Sequence, residues 1–148
     1  MFVLDTNVVA ELRKSRGGKA DKNVLLWAKN VAPPSLFISA ITVLELELGV
    51  LLIERRDAKQ GAALRAWLDG TVLAVFAGRI LAIDAEVARR CAKLHVPDPK
   101  SERDALIAAT ALIHGMTVVT RNVDDFESTG VAIINPWDSA PTASPARR

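Results

Sequence analysis

Four acidic residues stand where a carboxylate can do more than solvate a surface: Asp5, Glu45, Asp104 and Asp125. Asp5 closes the apolar run "MFVL", and apolar residues resume at helical spacing directly after it. Glu45 lies early in "ITVLELELGV"; its neighbour one helical turn on is Gly49, so the glutamate faces a gap instead of a packed side chain. Glu47 is about 200° round the same helix from Glu45, at ~100° per residue, and is expected to be solvated. Asp104 stands at the head of "RDALIAATALIHG", and Asp125 follows "VVTRNVD". Each has a plainer role available. Asp5 can cap a helix, Asp104 can complement a helix N-terminus, Asp125 can cap the turn before Phe126, and Glu45 can pair with an arginine. Brought to one crevice, however, four acids repel and raise one another's pKa, and a divalent cation relieves that cost. Hard oxygen ligands with no Cys and no partner His suit Mg²⁺ or Mn²⁺. The chemistry such a site supports is phosphodiester hydrolysis, with a hydroxide-like nucleophile and a steadied leaving oxygen. Thr6, Asn7, Thr120 and Asn122 are the polar neighbours able to orient water or phosphate; they are equally suited to turns and caps, and Thr6 and Asn7 are the better candidates to cap the first helix if Asp5 serves a site. Arg121 can hold phosphate or pair with an acid.

Convergence depends on the elements that carry these residues. Short apolar strands alternate with amphipathic helices along the chain. Phe2 to Leu4 reads as a first strand and Thr6 to Lys14 as a helix. "RKSRGGKAD" is a basic, glycine-containing loop, and Asn23 to Val31 is a helix stopped by "APPS". "LFIS" is a second strand, followed by helices from about Thr42 to Glu54 and Ala58 to Asp69. "GRILAI" reads as a third strand, Ala85 to His95 as a helix, and "VPDPKS" as a loop whose prolines bar helix continuation. Glu102 to His114 is a helix ended by Gly115, thin because of Ala105, Ala108, Ala109 and Ala111. "TVVT" and "VAII" are strands four and five. Alternation of this kind predicts an α/β domain with a mostly parallel sheet. Its functional crevice then lies beyond the carboxyl ends of the strands, where the strand order reverses. Asp5 and Asp125 follow strands at that edge, and Asp104 and Glu45 begin helices there.

The chain of 148 residues is one domain long enough for a core, since half of it is hydrophobic. No signal peptide is expected, because a charge interrupts the N-terminal apolar run at position 5. No membrane span is expected either: "ISAITVLELELGVLLI" is too short and carries two glutamates. The net charge of +2 gives only a weak overall field. Arg13, Lys14, Arg16, Lys19, Lys22 and Lys29 gather in the first loop and the helix after it, as a solvated face or a phosphate-attracting rim. The one cysteine, Cys91, leaves no internal disulfide and no Cys-based zinc site; with Val87 and Leu94 it reads as core packing. No G-x-G-x-x-G follows a strand, and "RGGKAD" lacks the spacing of a phosphate loop, so a nucleotide-binding fold is disfavoured. His95 and His114 end helices, where histidine complements the dipole, which disfavours a Ser–His–Asp hydrolase. Residues 139–148, rich in Pro, Ala and Ser, are expected to form a disordered tail after a domain spanning 1–138.

"LDTNVVAEL", "ISAITVLELELGV", "RDALIAATALIHGMTVVTRNVDDFE" and "INPWD", in this order and spacing, resemble the PIN-domain proteins of the VapC type, and in particular the FitB-like subgroup. The resemblance runs from Phe2 to about Asp138. It implies a three-layer α/β/α sandwich with a five-stranded parallel sheet in the order 3-2-1-4-5. It implies an acidic quartet of Asp5, Glu45, Asp104 and Asp125 that holds Mg²⁺ or Mn²⁺, with Asp5 and Asp104 as direct ligands, and hydrolysis of RNA as the toxic half of a type II toxin–antitoxin pair. Asp124 adjoins the fourth acid, but the residue immediately before Phe126 fits the motif. Thr120 falls on the motif's hydroxyl position. The resemblance also implies a cytoplasmic homodimer, a small VapB-like antitoxin, and operator DNA bound only through that antitoxin. The competing reading is a non-catalytic subunit of a DNA-binding regulatory complex. The excess of Val, Leu and Ile around "VLELELGVLLI" leaves an apolar side for a partner or for burial within one subunit.

Overall fold

The computed structural model describes residues 1–138, so the expected tail at 139–148 lies outside the described residues. Five short strands form one parallel sheet: β1 (Phe2–Leu4), β2 (Leu36–Ser39), β3 (Ile80–Leu81), β4 (Thr117–Val119) and β5 (Ile133–Ile134). Their spatial order is β3-β2-β1-β4-β5, the expected 3-2-1-4-5. β1 is central, with Phe2 opposite Leu36 of β2 and Leu4 opposite Val119 of β4. The chain leaves β1 towards β2 and β3 and later crosses to β4 and β5. The order therefore reverses between β1 and β4, and a crevice opens at their carboxyl ends.

The sheet is covered on both faces. Successive residues of a strand point to opposite sides, and the core divides accordingly. Leu4 and Val119 join Val8, Val9, Leu46, Val50 and Phe76 on one face. Val3 and Val118 join Ile107, Ala108, Ala111 and Phe126 on the other. The first face is roofed by α1 (Thr6–Arg13), α3 (Ala40–Arg56), α4 (Ala58–Trp67) and the segment after α4. The second is roofed by α7 (Glu102–His114) and α8 (Val123–Glu127), and α6 (Ala85–Leu94) packs against α7. Ala105, Ala108, Ala109 and Ala111 are all fully buried, so the thin helix does lie close to its neighbours. α2 (Lys22–Lys29) completes the first layer, its Trp27 edge-on to Phe2.

Several boundaries differ from the sequence reading. Helix α3 is longer at both ends than Thr42 to Glu54; it starts earlier because Ser39 caps it from the strand by accepting the Ile41 amide, 3.0 Å. The helix begun by α4 does not stop at Asp69. It passes through a π-turn at Leu68–Val72 and ends as α5 (Leu73–Val75), with Leu68 and Val72 buried in the core. Gly70 did not break it, because glycine weakens a helix by only about 1 kcal/mol and buried apolar residues flank it. "GRILAI" forms only the two-residue β3, and "VAII" only β5, as edge strands need pair on one side alone. α8 was not foreseen; its five residues are too short for a periodic signal.

Candidate active site

Asp5 is the first residue beyond β1, and it is almost wholly buried. Its amide donates to the Val119 carbonyl of β4 at 2.9 Å, which fastens it to the neighbouring strand at the switch point. It is also the N-cap of α1: Oδ1 accepts the Thr6 amide at 2.8 Å. Thr6 and Asn7 are thus first-turn residues and not the caps, which frees their side chains for other work. The second carboxylate oxygen of Asp5 accepts from Thr120 Oγ1 at 2.8 Å and from Asn7 Nδ2 at 3.3 Å. Thr120 follows β4 as Asp5 follows β1, so the sheet register itself sets this contact.

Glu45 reaches the same place from α3. Its Oε1 accepts from Thr6 Oγ1 at 2.5 Å, and Thr6 also lies 3.1 Å from the hydroxyl of the buried Thr42. Gly49 leaves open space above it: a Cβ there would touch nothing within 4 Å. Asp104 is in the first turn of α7, three residues after the N-cap Ser101, whose hydroxyl favours its ionised form. Asp125 is in the first turn of α8. The electrostatics show that the four share one field. Burial raises the Asp104 carboxyl to about 6, and the charges of Asp5, Asp125 and Glu45 push in the same direction. Asp5 is raised above the ordinary carboxylate range first by burial; its bonds from Thr120 and Thr6 oppose that, and Glu45 and Asp125 add to it. Asp125, not Asp124, is the carboxylate whose charge acts on both.

All four predicted acids therefore meet at one crevice. Of the polar neighbours, Thr6, Asn7 and Thr120 hold the carboxylates directly. Asn122 contributes its backbone amide to Thr120 Oγ1 at 2.9 Å and leaves its side chain exposed. Arg121 stacks over Trp137, 5.1 Å from the ring centroid, at the rim beside Asp125 and Asn135. Three participants were missed. Thr42 is one helical turn before Glu45 and on its face, a spacing that could have found it. Ser101 is the N-cap three residues before Asp104. Arg103 lies 3.6 Å from Glu45 Oε2, the one ion pair that a quartet acid makes among the described residues. One cation against four carboxylates leaves the crevice short of positive charge. The donor set is oxygen only, partly buried and held by hydroxyls, which fits a hard divalent ion such as Mg²⁺ or Mn²⁺.

The Glu47 side chain is open to solvent as expected, and Arg65 of α4 also meets it there, donating to it at 2.7 and 3.0 Å. Cys91 is buried as expected, and His95 does end α6, but the two approach each other and Glu102.

Comparison with known proteins finds that a PIN-domain profile matches residues 2–131. The chain is 39% identical to VapC ribonuclease Y4jK of Sinorhizobium fredii over 145 residues, covering 95% of this chain and 100% of that protein. It is 38% identical to toxin FitB of Neisseria gonorrhoeae over 143 residues, 93% of this chain and 99% of that one. Among solved structures, FitAB bound to an IR36 DNA fragment superposes with a TM-score of 0.86 at 34% identity, covering 97% of this chain and 100% of that chain.

Proposed function

We propose that this chain, which belongs to the PIN-domain family, is a metal-dependent endoribonuclease and the toxic half of a type II toxin–antitoxin pair. The observation that carries the reading is the uncompensated carboxylate crevice, where Asp104 is pushed up to about 6 by burial and by three neighbouring acids. Asp5 and Asp104 would hold Mg²⁺ or Mn²⁺ directly, with Glu45 and Asp125 completing the negative wall. When bound, the ion supplies the positive charge that a phosphodiester needs near these acids and activates a water. The chain's own residues do the positioning. Thr120 and Asn7 fix one Asp5 oxygen while the Thr6 amide fixes the other, so the carboxylate cannot rotate. Thr6 holds Glu45 in turn. Arg121, propped on Trp137, is placed at the rim to receive an RNA phosphate.

Relatives named as a VapC ribonuclease and as toxin FitB, and the FitAB complex with DNA, support the wider biological assignment. On this reading the chain is a homodimer that binds a small VapB-like antitoxin and reaches operator DNA only through it. Helix α3 leaves Leu44, Leu48, Leu51 and Leu52 exposed on its outer side, and an apolar groove of about 200 Å³ lies between Leu12, Trp67, Val75 and Phe76. Exposed apolar area of this kind is what a protein partner covers. Among the described residues no helix is long and apolar enough to cross a membrane. The test is cleavage of a structured RNA by the purified chain with Mn²⁺. Wild type should cut, and Asp104→Asn should cut about 10²-fold more slowly or less. Equal rates would overturn the mechanism.

A further inference from the structure

A second group of chemically capable side chains meets where α6 ends and α7 begins. Cys91 and His95 are four residues apart, so they project from one helical face. Glu102 is the first residue of α7. Cys91 Sγ lies 3.7 Å from His95 Nε2, and Nε2 lies 3.1 Å from Glu102 Oε1. All three ligand atoms are within 4.8 Å of one another. The donor set differs in kind from the acidic crevice: a thiol, an imidazole and one carboxylate select a borderline-soft transition metal over Mg²⁺. Geometry agrees. Tetrahedral zinc, with Zn–S about 2.3 Å and Zn–N and Zn–O about 2.0–2.1 Å, sets an S···N edge of about 3.5 Å and an N···O edge of about 3.3 Å. Both measured edges fall within a few tenths of an ångström of these.

We propose that Cys91, His95 and Glu102 form a Zn²⁺ site, with water as fourth ligand, that clips the end of α6 to the start of α7. The buried thiol backs the site from the core, and the exposed glutamate closes it from solvent. Binding rearranges protons in a defined way. His95 Nδ1 accepts the Lys100 amide at 3.0 Å, so the metal-free ring carries its proton on Nε2 and donates a hydrogen bond from there to Glu102. Zn²⁺ takes the Nε2 position; the ring proton moves to Nδ1, the Lys100 amide turns to water, and the thiol proton leaves to solvent. Burial and Glu102 hold the metal-free thiol neutral, and the ion reverses that balance. Only the exposed loop between the helices has to adjust. The cysteine count had argued against a cysteine-based zinc site, but one thiolate suffices when His and a carboxylate complete the set. The site is independent of the nuclease reading and stands or falls separately from it.

Co²⁺ titrated into the metal-free full-length chain is the test, because cobalt bound to thiolate absorbs by charge transfer and cobalt on oxygen does not. Wild type should develop that band with about one equivalent of Co²⁺, and Zn²⁺ should erase it. Asp5→Asn should keep it. Cys91→Ser should lose it, and His95→Gln at a partly buried position and Glu102→Gln at an exposed one should weaken Co²⁺ binding about tenfold or more even if the buried cysteine variant fails to fold. Folded wild type with no charge-transfer band, or cobalt binding that vanishes in Asp5→Asn, overturns the proposal.

Discussion

Two residues of one helix, Glu45 and Glu47, end in opposite electrostatic surroundings. Glu47 turns to the α3–α4 hairpin, where Arg65 binds it through two nitrogens, reaches Glu54 at 3.1 Å and lies 3.6 Å from Asp69. Three acids there share a counter-charge that the chain supplies, and the effect is to lower the Glu47 carboxyl. Glu45 turns to the crevice, where Arg103 pairs with it alone among the four acids, and the effect is to raise Asp5 and Asp104. The hairpin is finished by folding. The crevice is left short of positive charge by folding, and on the proposed function a cation from outside would supply it. A cluster of acids is informative when its neighbours are acids too and the partner is missing.

The strongest way to break this contrast is Asp5→Asn. The amide removes the charge and keeps one oxygen, which serves the Thr6 amide; its N–H₂ then faces Thr120, whose hydroxyl rotates to accept, and the long bond from Asn7 is lost. RNA cleavage with Mn²⁺ should fall about 10²–10³-fold, while the Tm of the metal-free protein should hold or rise, since a buried charge among like charges has been removed. A large drop in Tm with cleavage intact would reverse the roles assigned to the two regions.

The hairpin should respond in the opposite sense, through packing. A Cβ at Gly61 would lie 2.5 Å from the Glu54 Cα and 2.9 Å from its backbone nitrogen, so α4 passes directly over α3 at this point. Neither backbone atom can swing aside as a side-chain tip could. Gly61→Ala should therefore cost about 1–3 kcal/mol in denaturant unfolding and leave the crevice chemistry intact per folded molecule. A neutral or stabilising result would show that the helices can separate freely.

How much of this was legible without coordinates follows the same division. The acids of the crevice could be read because each lies beside a strand end or at a helix start, and alternation fixed which edge those share. The 3-2-1-4-5 order came from resemblance; apolar patterning alone gives parallel strands but not their sequence across the sheet. The cap of α1 was placed on Thr6 or Asn7 and is Asp5, because Asp, Thr and Asn all cap helices and only the sheet register decides which one stands at the N-cap. Glu47 was rightly read as solvated, but its arginine partner was not legible, because helical angle says which way a side chain points and nothing about what another helix brings to meet it. The joining of Cys91, His95 and Glu102 was hidden for a similar reason: the "VPDPKS" loop that folds α7 back has no periodicity to fix its path.

A titration sharpens the comparison further. The folded Asp104 carboxyl, at about 6, holds its proton more tightly than in the unfolded chain, where the reference value is 3.8. Stability linked to it is fully present below about pH 4 and is lost as pH rises through about 6. Asp5 shifts in the same direction. The metal-free protein, in chelator, should thus gain a few degrees of Tm on going from pH 7 to about pH 5, with solvent screening at the partly exposed Asp104 keeping the gain small. Asp104→Asn should flatten this dependence. Saturating Mn²⁺ should raise Tm at pH 7 more than at pH 5, since the ion and the protons compete for the same oxygens.

The smallest effect belongs to Arg65→Gln. It removes the cation that three hairpin acids share, yet those groups are open to solvent, and water screens the exposed carboxylates it leaves behind. Tm should fall by about 2–4 °C at low salt, and most of that loss should disappear at about 1 M NaCl, where the Debye length shrinks to about 3 Å. The crevice should behave differently at the same salt, because Asp5 is buried and Glu45 and Asp104 are partly so, and a divalent ion held there would be screened less than a surface pair. Arg65→Gln should therefore leave the Mn²⁺ dependence of cleavage unchanged at both salt concentrations. If instead it altered metal affinity several-fold, Glu45 and Glu47 would be coupled along α3, and the separation between a site completed by the chain and a site completed by a cation would not hold.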